Sequence, residues 1–292
     1  MASRSTPISS GSRDPGPRRV AVILAAGQGK RLRSAGAKVL HPAAGRPLLA
    51  WVLDAAHGAG CEPILVVVGH GGAEVRAAFA GEGVVWVEQA EQRGTGHALA
   101  QAESYLDAAG AGDATLLVLS GDAPLVRAET LEALARRLEP AGDGGGVGAG
   151  GGASGVWGAL AVADLAEPGT LGRVIAAPAR SGEPEQLARI VEVADAGPAE
   201  RGVRTVNAGF YAFRAPEIFA YLSRLALHNA QGELYLTDAL VAAAAAGERV
   251  VLHRLADPDE ALGVNTPDEL EQVERALLAR KAAERRPEAV VG

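Results

Sequence analysis

A chain of 292 residues, 48% of them hydrophobic, can bury the core of one large α/β domain or of two ordinary ones. Its formal charge of −7 and scattered basic residues form no positive stripe for nucleic-acid phosphates, which argues against a nucleic-acid partner. The longest apolar run, Ile64 to Val68, stops at Gly69, well short of the roughly 18 to 20 residues that a membrane-spanning helix needs.

In chain order, residues 1–18 are rich in Ser, Arg, Pro and Gly, lack the apolar stretch of a secretory signal, and read as a disordered tail. Val20 to Leu24 reads as a buried strand, with further strands at Ile64 to Val68, Val84 to Val87 and Thr115 to Leu119. Helical patterns at Pro47 to Gly58, Glu74 to Ala80, Gly96 to Ala108 and Glu129 to Leu138 separate them, and Pro47 suits the first turn of its helix. Such alternation predicts an open, Rossmann-like, mostly parallel sheet between two helical layers, an α/β fold of three layers. The glycine-rich segment 141–155 is expected to be a surface loop within one domain spanning 19–284, because ordering so many glycines costs too much backbone entropy. Beyond it, Val203 to Phe213 and Arg249 to Leu255 read as strands. Pro216 to Ala226, Tyr235 to Ala246 and Pro267 to Ala283 read as helices, with 285–292 as a tail. The single cysteine, Cys61, precedes an apolar run and reads as a small core residue in a reducing, cytoplasmic setting.

The first strand runs into LAAGQGKRLRS, where Gly27 and Gly29 let backbone N–H groups approach phosphate oxygens. Lys30, Arg31, Arg33 and Lys38 add a cation density suited to a triphosphate in an otherwise acidic chain. A dinucleotide fingerprint starting at Gly27 would need a small residue at Leu32, and a Walker A loop ending at Lys30 would need glycine at Leu24, so neither fits. Without its position at a strand's carboxyl end, where open α/β sheets bind ligands, the loop would read as a solvated basic turn. Further along, GTGHA has the look of a helix start with Thr95 as its cap, and Asp122 in SGDAP stands at another strand's carboxyl end. A carboxylate there suits Mg²⁺, although Asp before Ala-Pro is also a common turn residue.

Leu24, Gly27, Gly29, Arg31 and Lys38 match the signature L-x-x-G-x-G-x-R with a following lysine, and the chain resembles the sugar-1-phosphate nucleotidyltransferases over nearly its whole length. In VEQAEQRGTGHALAQA and HNAQGELYLTD it is most similar to the N-acetylglucosamine-1-phosphate uridylyltransferase branch. The resemblance implies a nucleotide held by Leu24, Ala25, Ala26, Gly27 and Gly29, uracil read by Gln89, Gly94 and Thr95, and further contact at Gly121. It also implies Mg²⁺ on Asp122 and Asn265, and a sugar held by Gly172, Glu192 and Asn207. Arg31 and Lys38 would stabilise charge moving onto pyrophosphate, with UTP and a sugar-1-phosphate as substrates.

The chain departs from the family at Ser120, where a tyrosine is usual, at Ala194, where a lysine is usual, and at Lys30 and Ala37 in the loop. Arg173 or Arg189 are candidates to make up for Ala194. The hexapeptide repeats of the family's acetyltransferase portion are not found in the sequence, so acetyl transfer is not expected of it. None of the six histidines forms a metal or triad pattern, and His41, His70 and His97, in or near predicted loops, are assigned no role. Two other readings stay open: nucleotidyl transfer to a different sugar or from a different nucleotide, and a silent sensor of nucleotide sugars.

Overall fold

The computed structural model describes residues 18–27, 29, 32, 36–139, 155–178, 182–225 and 232–284. The expected tails at 1–17 and 285–292, and all of the glycine-rich segment except Gly155, lie outside the described residues. Strand β1 (Arg19–Ala25) leads through a short hairpin, β2 (Pro42–Ala43) and β3 (Arg46–Pro47), into α1 (Leu48–Gly58). Then follow β4 (Cys61–Val68), α2 (Gly72–Ala78), β5 (Val85–Glu88), α3 (Thr95–Ala100), α4 (Glu103–Ala108), β6 (Thr115–Ser120) and α5 (Ala128–Arg136). The second half adds β7 (Gly158–Asp164), β8 (Arg173–Ala176), β9 (Leu187–Val191), α6 (Pro198–Arg201) and β10 (Thr205–Arg214). It ends with α7 (Ala215–Leu222), α8 (Leu236–Ala245), β11 (Val250–Arg254) and α9 (Pro267–Glu284).

Apart from the separate β2–β3 hairpin, the strands form one nine-stranded sheet with the order β11-β7-β10-β6-β1-β4-β5, and β8 and β9 attach through β10. The β1, β4, β5 and β6 half is parallel, whereas β10 runs antiparallel between β6 and β7. Period-two alternation sends the side chains of β1 to opposite faces, and both faces are apolar. Ala21, Ile23 and Ala25 pack with Leu49 and Leu53 of α1 and with Leu131 and Leu134 of α5. Val20 and Val22 pack with Leu99 of α3, Leu106 of α4, Ile218 of α7 and Leu240 of α8. The result is the expected three-layer α/β/α arrangement. Each fully buried Leu or Ile in it contributes roughly 1.5–3 kcal/mol. A third cluster, with Leu32, Leu48, Leu125, Val264, Val273 and Leu277, seats α9 against the start of α1 and brings residues 263–265 to the end of β6.

Two local expectations change. The helix expected from Gly96 to Ala108 is two, because the N–H groups of Gln101 and Ala102 bond three residues back and tighten the turn. Pro47 does not enter α1; at φ −54° and ψ 146° it is extended and pairs with Pro42 in the β2–β3 hairpin. Strands β7, β8 and β9 had no strong local pattern, and β7 is defined by long-range pairing with β10 and β11. Cys61 is buried as expected, and burial pushes its thiol up to about 12, well away from a reactive thiolate. Among the described residues, no helix is long and apolar enough to cross a membrane.

Candidate active site

The carboxyl ends of β1 and β6 open onto a cavity of about 500 Å³. Leu24, Ala25, Ala26, Gly27, Gly29, Lys38, Gln89, Gly94, Thr95, Asp122 and Asn265, all singled out from sequence, line it. Gly121 sits at the base of this wall, its N–H donating to the Leu24 carbonyl at 2.9 Å. Gly29 has φ +61°, and a Cβ there would lie 2.8 Å from the Lys38 Cβ, so the loop can close against Lys38 only with glycine. Arg31, with Lys30 and Arg33, lies outside the described residues.

Lys38, on a 3₁₀ turn at Lys38–Leu40, is 8% exposed. Its ammonium donates to the Asp122 carboxylate and, at 2.8 Å, to the Asn265 side-chain carbonyl. Asn265 is held there from both sides. The Val264 N–H donates to the Asp122 carbonyl at 2.9 Å, and the Glu269 carboxylate accepts from the N–H groups of Asn265 and Thr266. The Thr266 hydroxyl accepts in turn from the Glu269 N–H, a reciprocal cap at the start of α9. Two hard oxygen donors thus converge on one positive charge, a set that fits a divalent cation whose remaining ligands are phosphate oxygens and water. Among the described residues, no group of three or more His, Cys, Asp or Glu side chains could hold a metal by itself.

Gln89 is buried, and its side-chain nitrogen donates to the Gly94 carbonyl at 3.1 Å. Thr95 does not cap its own helix, for which Gly94 occupies the N-cap position. Its hydroxyl accepts from the Leu236 N–H at 3.0 Å and so caps α8 across the cavity wall. Gly94, at φ +100°, leaves no room for a Cβ, which would stand 2.5 Å from the Leu234 carbonyl oxygen.

Gly172, Glu192 and Asn207 come together beside this cavity and are not among its lining residues. The Asn207 N–H donates to the Gly172 carbonyl at 2.9 Å, and the Asn207 side chain donates to the Tyr211 hydroxyl at 2.7 Å. A Cβ on Gly172 would stand 3.1 Å from a Glu192 carboxylate oxygen, which also accepts from the Thr237 hydroxyl at 3.3 Å. Burial raises the Glu192 carboxyl above its ordinary range, opposed by the Thr237 hydrogen bond and reinforced by Asp238 and Asp195. Burial likewise pushes Tyr235 up to about 12, with Glu233 and Glu192 adding to the effect.

Both arginines that could stand in for a lysine at Ala194 are engaged elsewhere. Arg173 is buried with its guanidinium on the carbonyls of Pro168, Gly169 and Leu171, and Arg189 pairs with Glu200 at 2.6 Å. Ser120 lines the cavity and donates to the Gly209 carbonyl at 3.4 Å. Two polar lining residues, Gln92 and Glu233, escaped the sequence reading, and His97 was given no role in it. Gln92 lines the cavity and donates to the Ala26 carbonyl at 2.8 Å, Glu233 also lines it, and His97 touches the Gln89 amide from α3. The segment carrying Gln92 and His97 was in view, but nothing local shows which of its polar residues turn inward.

A glycine loop, a buried lysine and an Asp–Asn pair thus meet at the strand ends of a three-layer α/β/α sheet. Residues 21–168 match the MobA-like NTP transferase domain, and the chain belongs to that family. It is 42% identical over 262 residues to the bifunctional protein GlmU of Nitrosococcus oceani, covering 90% of this chain and 52% of that protein. It is 41% identical over 266 residues to GlmU of Syntrophotalea carbinolica, with 90% and 52% covered. The chain therefore spans about half the length of these curated relatives. A crystal structure of UDP-glucose pyrophosphorylase with UDP-glucose shares the fold at TM-score 0.68 and 17% identity, covering 90% of this chain and 99% of that one.

Proposed function

We propose that the chain transfers a uridylyl group from UTP to N-acetylglucosamine-1-phosphate, giving UDP-N-acetylglucosamine and pyrophosphate for cell-wall or surface polysaccharide precursors. The observation that carries the reading is the convergence of Asp122 and Asn265 on one cationic point in a cavity lined by Gly27, Gly29 and Gln89. The similarity to GlmU proteins supports it, as does the shared fold with UDP-glucose pyrophosphorylase.

A phosphate oxygen of the sugar-1-phosphate attacks the α-phosphorus of UTP; the new P–O bond forms as the bond to the bridging oxygen breaks, and pyrophosphate leaves. The sugar phosphate is already ionised at neutral pH, so no general base is needed. Asp122 and Asn265 would hold Mg²⁺, which when bound would supply Lewis-acid neutralisation of the phosphates. Lys38, and Arg31 by family resemblance, stabilise charge on the departing pyrophosphate. Gln89, Gly94 and Thr95 read the base, while Gly172, Glu192 and Asn207 hold the sugar. We place the reaction in the cytoplasm, in keeping with a lone buried cysteine. A second reading, transfer to another sugar-1-phosphate, is favoured by Ala194, since Arg173 is bound to carbonyls of its own loop and Arg189 to Glu200.

The test is pyrophosphate release with Mg²⁺, UTP and a panel of sugar-1-phosphates, beside Asp122→Ala. Turnover with N-acetylglucosamine-1-phosphate that vanishes in the variant is the expected result. Activity only with another sugar would establish the second reading, and tight UDP-sugar binding without turnover would make the chain a silent sensor.

A further inference from the structure

The Gln89 side-chain amide can face the cavity with either its oxygen or its nitrogen, and the two present opposite hydrogen-bonding characters to a base. Its neighbours remove the choice. One atom of the amide lies 3.1 Å from the Gly94 carbonyl oxygen and 3.0 Å from His97 Nδ1. A main-chain carbonyl only accepts, so that atom is the nitrogen. One of its hydrogens goes to Gly94 and the other to Nδ1, which must then carry a lone pair, and the proton of the neutral ring rests on Nε2. On the far side of the imidazole the Gln101 side-chain nitrogen donates to the His97 carbonyl at 3.2 Å, and its 3.2 Å approach to Nε2 is not a hydrogen bond in this tautomer. Half-buried Gln101 can turn its second N–H elsewhere, whereas buried Gln89 has, among the described residues, no acceptor but Nδ1 for its own. The Gln89 backbone is fixed as well, its N–H donating to the Val68 carbonyl at 2.8 Å. Both amide hydrogens are spent behind the cavity wall, and only the Gln89 carbonyl oxygen remains for a ligand.

We propose that His97 is the positioning residue that sets the base preference of this site, by holding the Gln89 amide with its oxygen towards the nucleotide. An acceptor at that point pairs with the N3–H of uracil and opposes the N3 lone pair of cytosine. The inference rests on the reading of Gln89 as the base-contacting residue. His97 does not line the cavity, so it acts through Gln89 and not on the substrate. Without an acceptor at Nδ1 the amide keeps only Gly94 to orient it. Half of its restraint is lost, and its nitrogen can turn to meet cytosine.

The test compares wild type with His97→Phe, which keeps the ring and removes the acceptor, and His97→Asn, whose side-chain oxygen can stand where Nδ1 stands. The readouts are kcat/KM with UTP and with CTP, and equilibrium binding of the two nucleotides in Mg²⁺. Losing one oriented hydrogen bond is worth about tenfold at 1.4 kcal/mol per decade. H97F is therefore expected to narrow the UTP-to-CTP ratio by about tenfold, and H97N to restore most of it. A purely structural role would lower Tm and both activities together and leave the ratio alone. A folded H97F that keeps the wild-type ratio overturns the inference, and so does a wild type that binds UTP and CTP alike. A wild type that prefers UTP in binding but turns over no sugar phosphate defeats the proposed reaction instead, and the binding ratio of H97F still decides the role of His97.

Discussion

Lys38 and Asn265 are 227 positions apart in the chain, and their side chains meet at 2.8 Å. Asp122 completes the contact, so the first loop, the end of β6 and the start of α9 join at one ammonium group. Replacing Lys38 with Met removes the charge at nearly constant length and leaves the half-buried Asp122 carboxylate without its ion pair. We expect kcat for pyrophosphate release to fall by about 10²-fold, the scale of losing one electrostatic stabiliser. Tm should fall without metal and recover on adding Mg²⁺, because the two oxygens then gain a cation with no internal competitor. Melting curves with and without Mg²⁺ check the second half; equal response to Mg²⁺ in both proteins would show that Lys38 does not share the metal's donors.

The carboxylate of Glu192 rests directly over Gly172. Gly172→Ala would place a methyl 3.1 Å from Glu192 Oε1 at a site whose φ needs no glycine, so the carboxylate moves and the backbone does not. The expected outcome is a KM for the sugar phosphate raised by about tenfold, equivalent to about 1.4 kcal/mol, with the KM for UTP nearly unchanged. A rise in both would place Gly172 in general scaffolding.

Thr95 joins the nucleotide wall to α8 through its hydroxyl and the Leu236 N–H. Thr95→Val keeps the shape and removes the acceptor, and should cost about 1 kcal/mol as a lost helix cap. Thr95→Ser should retain most of that stability. Urea unfolding of the two variants separates the hydrogen bond from the methyl group.

Glu217 on α7 has a buried carboxylate oxygen with no hydrogen-bond partner among the described residues. Burial raises its carboxyl above 4.5, partly offset by Arg214 and reinforced by Glu248. A raised value in the folded state means that folding favours the protonated form. The resulting stabilisation is complete below the unfolded value and is lost as pH rises through the folded value. Glu217→Gln, neutral at every pH, should match wild type in Tm near pH 4 and become the more stable protein towards pH 7. A gap that stays constant with pH would show that ionisation of Glu217 carries no penalty.

The sequence by itself determined the elements whose signals are local. Alternating apolar runs and helical periods located β1, β4, β5 and β6 with the helices between them, since side-chain period follows from backbone geometry within a few residues. The glycines after β1 and the acid after β6 could be read for the same reason: each stands beside the strand whose end it occupies. Tertiary structure alone decided the rest. The antiparallel insertion of β10 between β6 and β7 joins segments on either side of 141–155, and a pairing that long leaves no periodic trace. Arg173 and Arg189 had the charge to stand in for a lysine at Ala194, but packing turned one to its own loop and the other to Glu200. Thr95 was legible as a cap, but not as the cap of α8. His97 looked idle because its partner, Gln89, meets it only when α3 docks on the sheet. A side chain's type is written in the chain, whereas its hydrogen-bond partner is chosen by which surfaces the apolar layers force together.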